Sequence, residues 1–443
     1  MSTHRFPPLR QPGLARLRPL ALAMACVGSC GLPAVQAASS SPVAEPGEVL
    51  LVLQSGDAFT ALQQRYGLSL ISRFGARPIF RTKVPAGADA AKVAGALSAE
   101  AGVLAADLNY RRASPESVKN NVLAIGSPQG YAAQWADAAM GLSKVRGQAS
   151  GQGVRVAVLD TGFDLSHPAL LGHWLPGRDF VAGDLDPSES PWAQGDAYGH
   201  GTHVAGLVAW VAPGARIMPL RVLDGNGGGN AWALAEAMLF AVDPDGNPAT
   251  NDGAQVINLS LAGLQRTRLM DTIHQIVGCN PPDPLNTAVD TRDASYGDDN
   301  QRCANQGGTV VVAGAGNDGS SSLRAYPAAE GAYSLLAVAA SNNQGKLAGF
   351  SNSGGWIHLA APGEAITSTV PGGGYATWSG TSMATPLVAG AAALVRQLYP
   401  QLNARDVTRC LEATTTGLNG TKLRQLNINN ALKALAADPA RCH

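Results

Sequence analysis

The run Val154-Arg155-Val156-Ala157-Val158-Leu159-Asp160-Thr161-Gly162 is a short strand that ends in chemistry. Arg155 apart, it is apolar and Val-rich as far as Leu159, too short for a helix, and closed by a carboxylate and a glycine turn. An unbroken apolar run of this length is expected where both faces of a sheet are covered. Similar runs recur at Ala215 to Val222, Gln255 to Leu259, Thr309 to Ala313 and Leu335 to Ala339. Helical patterns lie between most of them, at His200 to Trp210, Ala231 to Val242, Leu269 to Val277 and Thr381 to Leu398. The alternation predicts an α/β fold of three layers, a mainly parallel sheet with helices on both faces. In such sheets functional residues gather at the carboxyl ends of the strands, where Asp160 stands.

Upstream the pattern differs. Glu48 to Gln54, Leu68 to Phe74, Pro78 to Val84 and Val103 to Tyr110 read as strands, and Ala58 to Tyr66 and Ala88 to Ala101 as helices. The order β-α-β-β-α-β predicts a small ferredoxin-like α+β unit. A polar linker from Arg111 to Gly130 separates it from the large domain. At the start, Arg5, Arg10, Arg16 and Arg18 precede the apolar stretch Leu20 to Leu32, with small residues at Val35-Gln36-Ala37. This is the pattern of an export signal cleaved after Ala37. A second reading is a lipoprotein signal, Val27-Gly28-Ser29-Cys30, anchored through Cys30.

Composition excludes several partners. The chain has 443 residues, 45% of them hydrophobic and 14% charged, and Lys+Arg (32) balances Asp+Glu (32), so no global field attracts nucleic acid or an anionic membrane. No metal-type Cys-x-x-Cys cluster occurs. Cleavage after Ala37 leaves Cys279, Cys303, Cys410 and Cys442, an even set that suggests two disulfides in an exported protein. Of three possible connectivities, the local ones are favoured: Cys279–Cys303 and Cys410–Cys442.

Three local signatures carry chemistry: Val158-Leu159-Asp160-Thr161-Gly162, Gly199-His200-Gly201-Thr202-His203-Val204-Ala205-Gly206 and Gly380-Thr381-Ser382-Met383-Ala384-Thr385-Pro386. Taken singly, Asp160 is an ordinary turn residue, His200 a core histidine and Ser382 an N-cap. Together and in this order they resemble the subtilisin family of serine peptidases from about Gln134 to Ala436. A serine hydroxyl is a poor nucleophile unless a base takes its proton, and a neutral imidazole suits that task. The resemblance implies His200 as base, Asp160 as its orienting partner and Ser382 as nucleophile. It also implies Asn317, in Ala313-Gly314-Ala315-Gly316-Asn317-Asp318-Gly319, as an oxyanion donor beside the Ser382 N–H. His167, His203 and Asp164 are read as structural.

The same resemblance implies two substrate-pairing edges. One is the glycine run that includes Gly227, Gly228 and Gly229; the other is Ser260-Leu261-Ala262. Ala262 and Ala325 stand at pocket positions often held by glycine, so a narrowed primary pocket is expected. No cofactor is needed for the chemistry. A strong calcium site is expected to be absent, because Gly206 runs to Pro213-Gly214-Ala215 without the loop that many family members insert there, and Ala169 replaces a common carboxylate. A weaker calcium site near Asp184 and Asp186 is an open alternative. The organisation implied is a signal peptide (1–37), an inhibitory propeptide (38–111), a linker with the maturation cleavage (112–133) and a peptidase domain (134–443). The expected protein is an exported, monomeric endopeptidase with peptide or protein substrates, its own propeptide as intramolecular inhibitor and no transmembrane segment. The alternatives are a dedicated maturation protease for one partner protein and a catalytically silent binding protein on the same scaffold.

Overall fold

The computed structural model describes residues 43–113, 122–189, 195–279 and 297–442. Its central sheet has nine strands. The order is β16 (Thr416–Gly417), β17 (Arg424–Gln425), β13 (Leu359–Pro362), β12 (Leu335–Ser341), β11 (Val310–Gly314), β10 (Val256–Leu259), β6 (Arg155–Asp160), β8 (Arg216–Arg221) and β7 (Arg178–Asp179). Every neighbouring pair is parallel except β16–β17. The five strands expected from the Val-rich runs form its middle.

Side-chain alternation sorts these strands into two cores. Val156, Val158, Val256, Val310, Val312, Leu336 and Val338 pack on one face with α5 (His200–Val211) and α9 (Thr381–Leu398). Ala157, Leu159, Ile257, Leu259, Val311, Ala313 and Leu335 pack on the other with α6 (Ala231–Val242) and α7 (Arg268–Gly278). These are the three layers expected. The described part of the stretch read as a linker holds regular structure: β5 (Val122–Ile125) pairs antiparallel with β15 (Gly374–Trp378), which pairs with β14 (Ile366–Val370), and α3 (Pro128–Ala132) follows. Four residues are too short a run to stand out among polar neighbours.

The upstream unit has the expected order: β1 (Ala44–Leu53), α1 (Ala58–Tyr66), β2 (Ser69–Arg73), β3 (Ile79–Lys83), α2 (Ala90–Leu97) and β4 (Val103–Ala113). Helix α2 starts later than expected because the Asp89 side chain accepts the N–H groups of Ala91 and Lys92 and so caps it. Strand β1 is buried on both faces. Val49, Leu51 and Leu53 pack under α1 and α2, whereas Leu50 and Val52 join the core of α6 and α7. Phe74 stacks on Trp232 of α6 with ring centroids 3.9 Å apart. Two side chains of β4 cap helices of the larger domain: Asn109 Oδ1 accepts the Trp232 N–H (3.1 Å) and Asp107 Oδ2 the Leu269 N–H (2.9 Å). The upstream unit is therefore packed as a layer of the larger domain.

Candidate active site

Asp160 is the last residue of β6, and its carbonyl accepts the N–H groups of Val222 and Leu223. This anchors the strand end from which the carboxylate projects. Asp160 Oδ1 accepts the Thr161 N–H at 2.8 Å and lies 2.7 Å from His200 Nδ1. Both side chains are at most 1% exposed. The carboxylate holds the imidazole proton on Nδ1, which makes Nε2 the basic nitrogen. His200 opens α5, behind Gly199 at φ +85°. The Trp378 ring stacks 6.3 Å from His200 and 4.5 Å from His203.

Ser382 is the second residue of α9, near the positive end of the helix dipole. Pro386, four residues on, has no N–H, so the Ser382 carbonyl lacks its helical donor. Ser260 Oγ donates to that carbonyl at 3.0 Å and is itself held by Asn258 Nδ2 at 3.1 Å. The turn that carries Ser382 is thus braced from β10. Asn317 Oδ1 accepts both the Thr381 N–H (2.8 Å) and the Thr381 Oγ1–H (3.0 Å). An N–H can only donate, so the amide orientation is fixed and Nδ2 is the donor end.

The two expected edges face one another across β4. Arg111, Arg112 and Ala113 pair antiparallel with Asn230, Gly229 and Gly228 of β9 (Gly228–Asn230). On the other side, Ala113 and Ala262 exchange both main-chain hydrogen bonds, at 2.9 and 2.8 Å. Gly229 has to be glycine, since a Cβ there would lie 2.3 Å from the Val222 carbonyl oxygen. Gly227 (φ +78°) sits in the turn before β9, with its N–H on Asp224 O. The side chains of Ser260 and Leu261 are fully buried, and Ala262 makes the main-chain pair with Ala113. Ala325 is 3% exposed and precedes a cis Tyr326–Pro327 bond, whose Tyr326 pairs with Gly263.

Arg112 is 2% exposed and its guanidinium lies against Gly263. None of the three guanidinium nitrogens has a hydrogen-bond partner among the described residues. Burial pushes its pKa down, opposed by the charges of Glu330, Asp107 and Tyr110. Glu330 in turn sits 2.5 Å from His274 Nδ1.

His167 Nε2 and His203 Nε2 hydrogen-bond the carbonyls of Gly374 (2.9 Å) and Ala376 (3.1 Å). Cys279 and Cys303 form a disulfide. Cys410 is also disulfide-bonded, while the Cys442 sulfur lies outside the described residues. The Asp184 and Asp186 carboxylates accept main-chain N–H groups two residues on. Among the described residues the carboxylates close enough to share an ion are instead Asp243, Asp245 and Asp252.

One residue beside the triad positions went unforeseen. Glu189 is 8% exposed and accepts hydrogen bonds from Gly199 and Thr161. Its neighbours Asp184-Leu185-Asp186-Pro187-Ser188 look like a solvated turn, and no periodicity marks it as buried.

Residues 151–434 match the profile of the Subtilase family. The chain is 36% identical over 294 residues to the Thermophilic serine proteinase of Bacillus sp. (strain AK1), covering 63% of this chain and 62% of that protein. It is 34% identical over 299 residues to Subtilisin E of Bacillus subtilis (strain 168), covering 63% of this chain and 67% of that one. It is 35% identical over 306 residues to Subtilisin Savinase of Lederbergia lenta, covering 66% and 96%. Fervidolysin from Fervidobacterium pennivorans, a keratinolytic enzyme related to subtilisin, has a crystal structure that covers 88% of this chain and 61% of its own, with a TM-score of 0.67 at 23% identity. That likeness is one of fold.

Proposed function

The chain belongs to the subtilase family of serine endopeptidases, and we propose that it cleaves peptide bonds through Asp160, His200 and Ser382 after export. The observation that carries the reading is the buried Asp160–His200 contact of 2.7 Å. In the proposed mechanism His200 Nε2 takes the Ser382 Oγ proton as Oγ attacks the substrate carbonyl carbon. Asp160 stabilises the imidazolium that forms. The Ser382 N–H and Asn317 Nδ2 stabilise the negative charge on the carbonyl oxygen. The tetrahedral intermediate collapses to an acyl-enzyme as His200 returns the proton to the departing amine. Water then repeats the sequence in reverse roles. A fluorophosphonate probe should label the active protein, and Ser382→Ala should abolish labelling. Labelling that persists in Ser382→Ala refutes the assignment. Asn317→Ala should retain labelling but lose on the order of 10²–10³ in kcat.

The residues from Val43 to Ala113 act in this reading as an inhibitory propeptide. The lodging of Ala113 between Gly228 and Ala262 supports it, because a third strand there excludes any other. Maturation should cut between Ala113 and Gln134. Intact mass of the secreted protein tests this, and a mature product that still contains Val43 to Ala113 speaks against it. Export after Ala37 and the lack of a strong calcium site are part of the same proposal. EDTA should leave the melting temperature of the mature enzyme unchanged, and a large drop would contradict the second point.

A further inference from the structure

We propose that Glu189 is a positioning residue of the triad: one buried carboxyl ties together the two chain segments that carry Asp160 and His200, and its charge tunes how strongly His200 holds a proton. The inference rests on the proposed triad. The geometry is a closed set of contacts. Glu189 Oε2 accepts the Gly199 N–H at 2.8 Å, and Oε1 accepts the Thr161 Oγ1–H at 3.3 Å. Thr161 Oγ1 in turn accepts the Gly201 N–H at 3.2 Å, while the Thr161 N–H donates to Asp160 Oδ1 at 2.8 Å. Gly199 and Gly201 flank His200, and Thr161 follows Asp160. A single side chain thereby fixes both flanks of the histidine relative to the aspartate. Main-chain bonds from Phe163 to Pro187 and from Glu189 to Phe163 hold the loop in place. Gly162, at φ +125°, makes room: a Cβ there would lie 2.9 Å from Glu189 Cα.

Among the described residues the charged surroundings are few. Asp160 comes from β6, His200 from α5 and the Tyr198 phenol from the turn before α5. From β8, Arg221 donates Nε to the Thr161 carbonyl and Nη1 to Asp179. Burial pushes the Glu189 carboxyl up to about 7, and the Asp160 charge adds to this against the Gly199 and Thr161 hydrogen bonds and His200. The group therefore ionises in the range where a histidine base operates. Ionised, it places a second negative charge near the imidazole, which favours the imidazolium and raises the His200 pKa. Neutral, it withdraws that charge.

The test is the pH dependence of kcat/KM for mature wild type, Glu189→Gln and Glu189→Asp on one peptide substrate. Glu189→Gln keeps the shape and one acceptor but never ionises, so the acid limb should move to lower pH by about 0.5–1 unit. Glu189→Asp keeps the charge and should restore the limb, even if the shorter side chain lowers kcat. A limb that does not move in Glu189→Gln, with only kcat or thermal stability changed, overturns the tuning role. Should that variant fail to mature, the His200 titration can be followed by nitrogen-15 NMR in a Ser382→Ala background with and without Glu189→Gln. An equal His200 midpoint in both overturns the proposal. Wild type that neither cleaves peptides nor reacts with the fluorophosphonate fails the triad reading itself, a result distinct from either of these.

Discussion

Glu189 and Arg112 are two charged side chains buried to nearly the same depth, 8% and 2% exposed, and they are handled in opposite ways. Both oxygens of Glu189 accept hydrogen bonds from the segments that hold the triad. The Arg112 guanidinium has no hydrogen-bond partner among the described residues and is balanced only by the charges of Glu330, Asp107 and Tyr110. A buried charge without partners costs stability, whereas one built into a network can fix geometry. Glu189 lies within the family-matched domain; Arg112 lies on the strand that fills the cleft. In the proposed reading, where the upstream unit leaves on maturation, permanence and completeness of hydrogen bonding go together: the contact that ends is the one whose guanidinium is left without a hydrogen bond.

The comparison can be broken in several ways. The largest effect is expected from Glu189→Ala, which removes both acceptors and leaves the Gly199 N–H unpaired. Mature kcat/KM should fall on the order of 10², a loss typical of misplaced catalytic groups. A fall under threefold would show that the network is decorative. Next is the Phe74–Trp232 stack. Trp232→Ala should weaken binding of an isolated Val43–Ala113 segment to the mature enzyme in trans by about 10²-fold, measured as Ki, as expected for a large aromatic anchor. An unchanged Ki would mean that the docking energy lies elsewhere. Arg112→Met should do the reverse, tightening Ki by about threefold to tenfold, since an apolar side chain of similar length avoids the buried, unpaired charge. A tenfold weakening would show that Glu330 attracts Arg112 strongly enough to offset its desolvation.

The smallest effect concerns stability against pH. The Glu189 carboxyl is raised from 4.5 to about 7 in the fold, and Asp271, buried beside Glu330, from 3.8 to about 6. A carboxyl raised by folding is penalised once it ionises. Its contribution therefore declines as pH rises from the unfolded value to the folded one, between about 4.5 and 7 for Glu189. In a Ser382→Ala background, Glu189→Gln should gain melting temperature relative to its parent on going from pH 5 to pH 8, by about 2 °C. Asp271→Asn should gain less, and over a window about one unit lower. A relative loss at pH 8 would reverse the sign of the argument.

Much of this was legible beforehand for a physical reason. Strands β6, β8, β10, β11 and β12 are covered on both faces, so they appear as unbroken apolar runs. Asp160, His200 and Ser382 stand where such runs or glycine turns end. What stayed hidden depends on tertiary contact. Glu189 is an acid in a turn rich in Asp, Pro and Ser, and only the close approach permitted by Gly162 buries it. Gly227 and Gly228 are indistinguishable in sequence, yet one turns the chain and the other pairs. Ser260 reads in sequence as part of a substrate-pairing edge; its role as a brace follows from a proline 126 residues away in the chain, which deprives the Ser382 carbonyl of its helical donor.

The two-faced burial of β1 bears on the direction of events. Leu50, Val52, Phe74 and Ile79 are covered by α6 and α7, not by the upstream unit itself. On the propeptide reading proposed above, cutting the linker and releasing the unit exposes this apolar face to water and leaves the unit only its smaller core around Val49, Leu51, Leu53, Phe59 and Leu97. In that reading the loosened chain beside a newly opened peptidase becomes a substrate, and activation runs as a ratchet, the brake consumed by the machine it restrained.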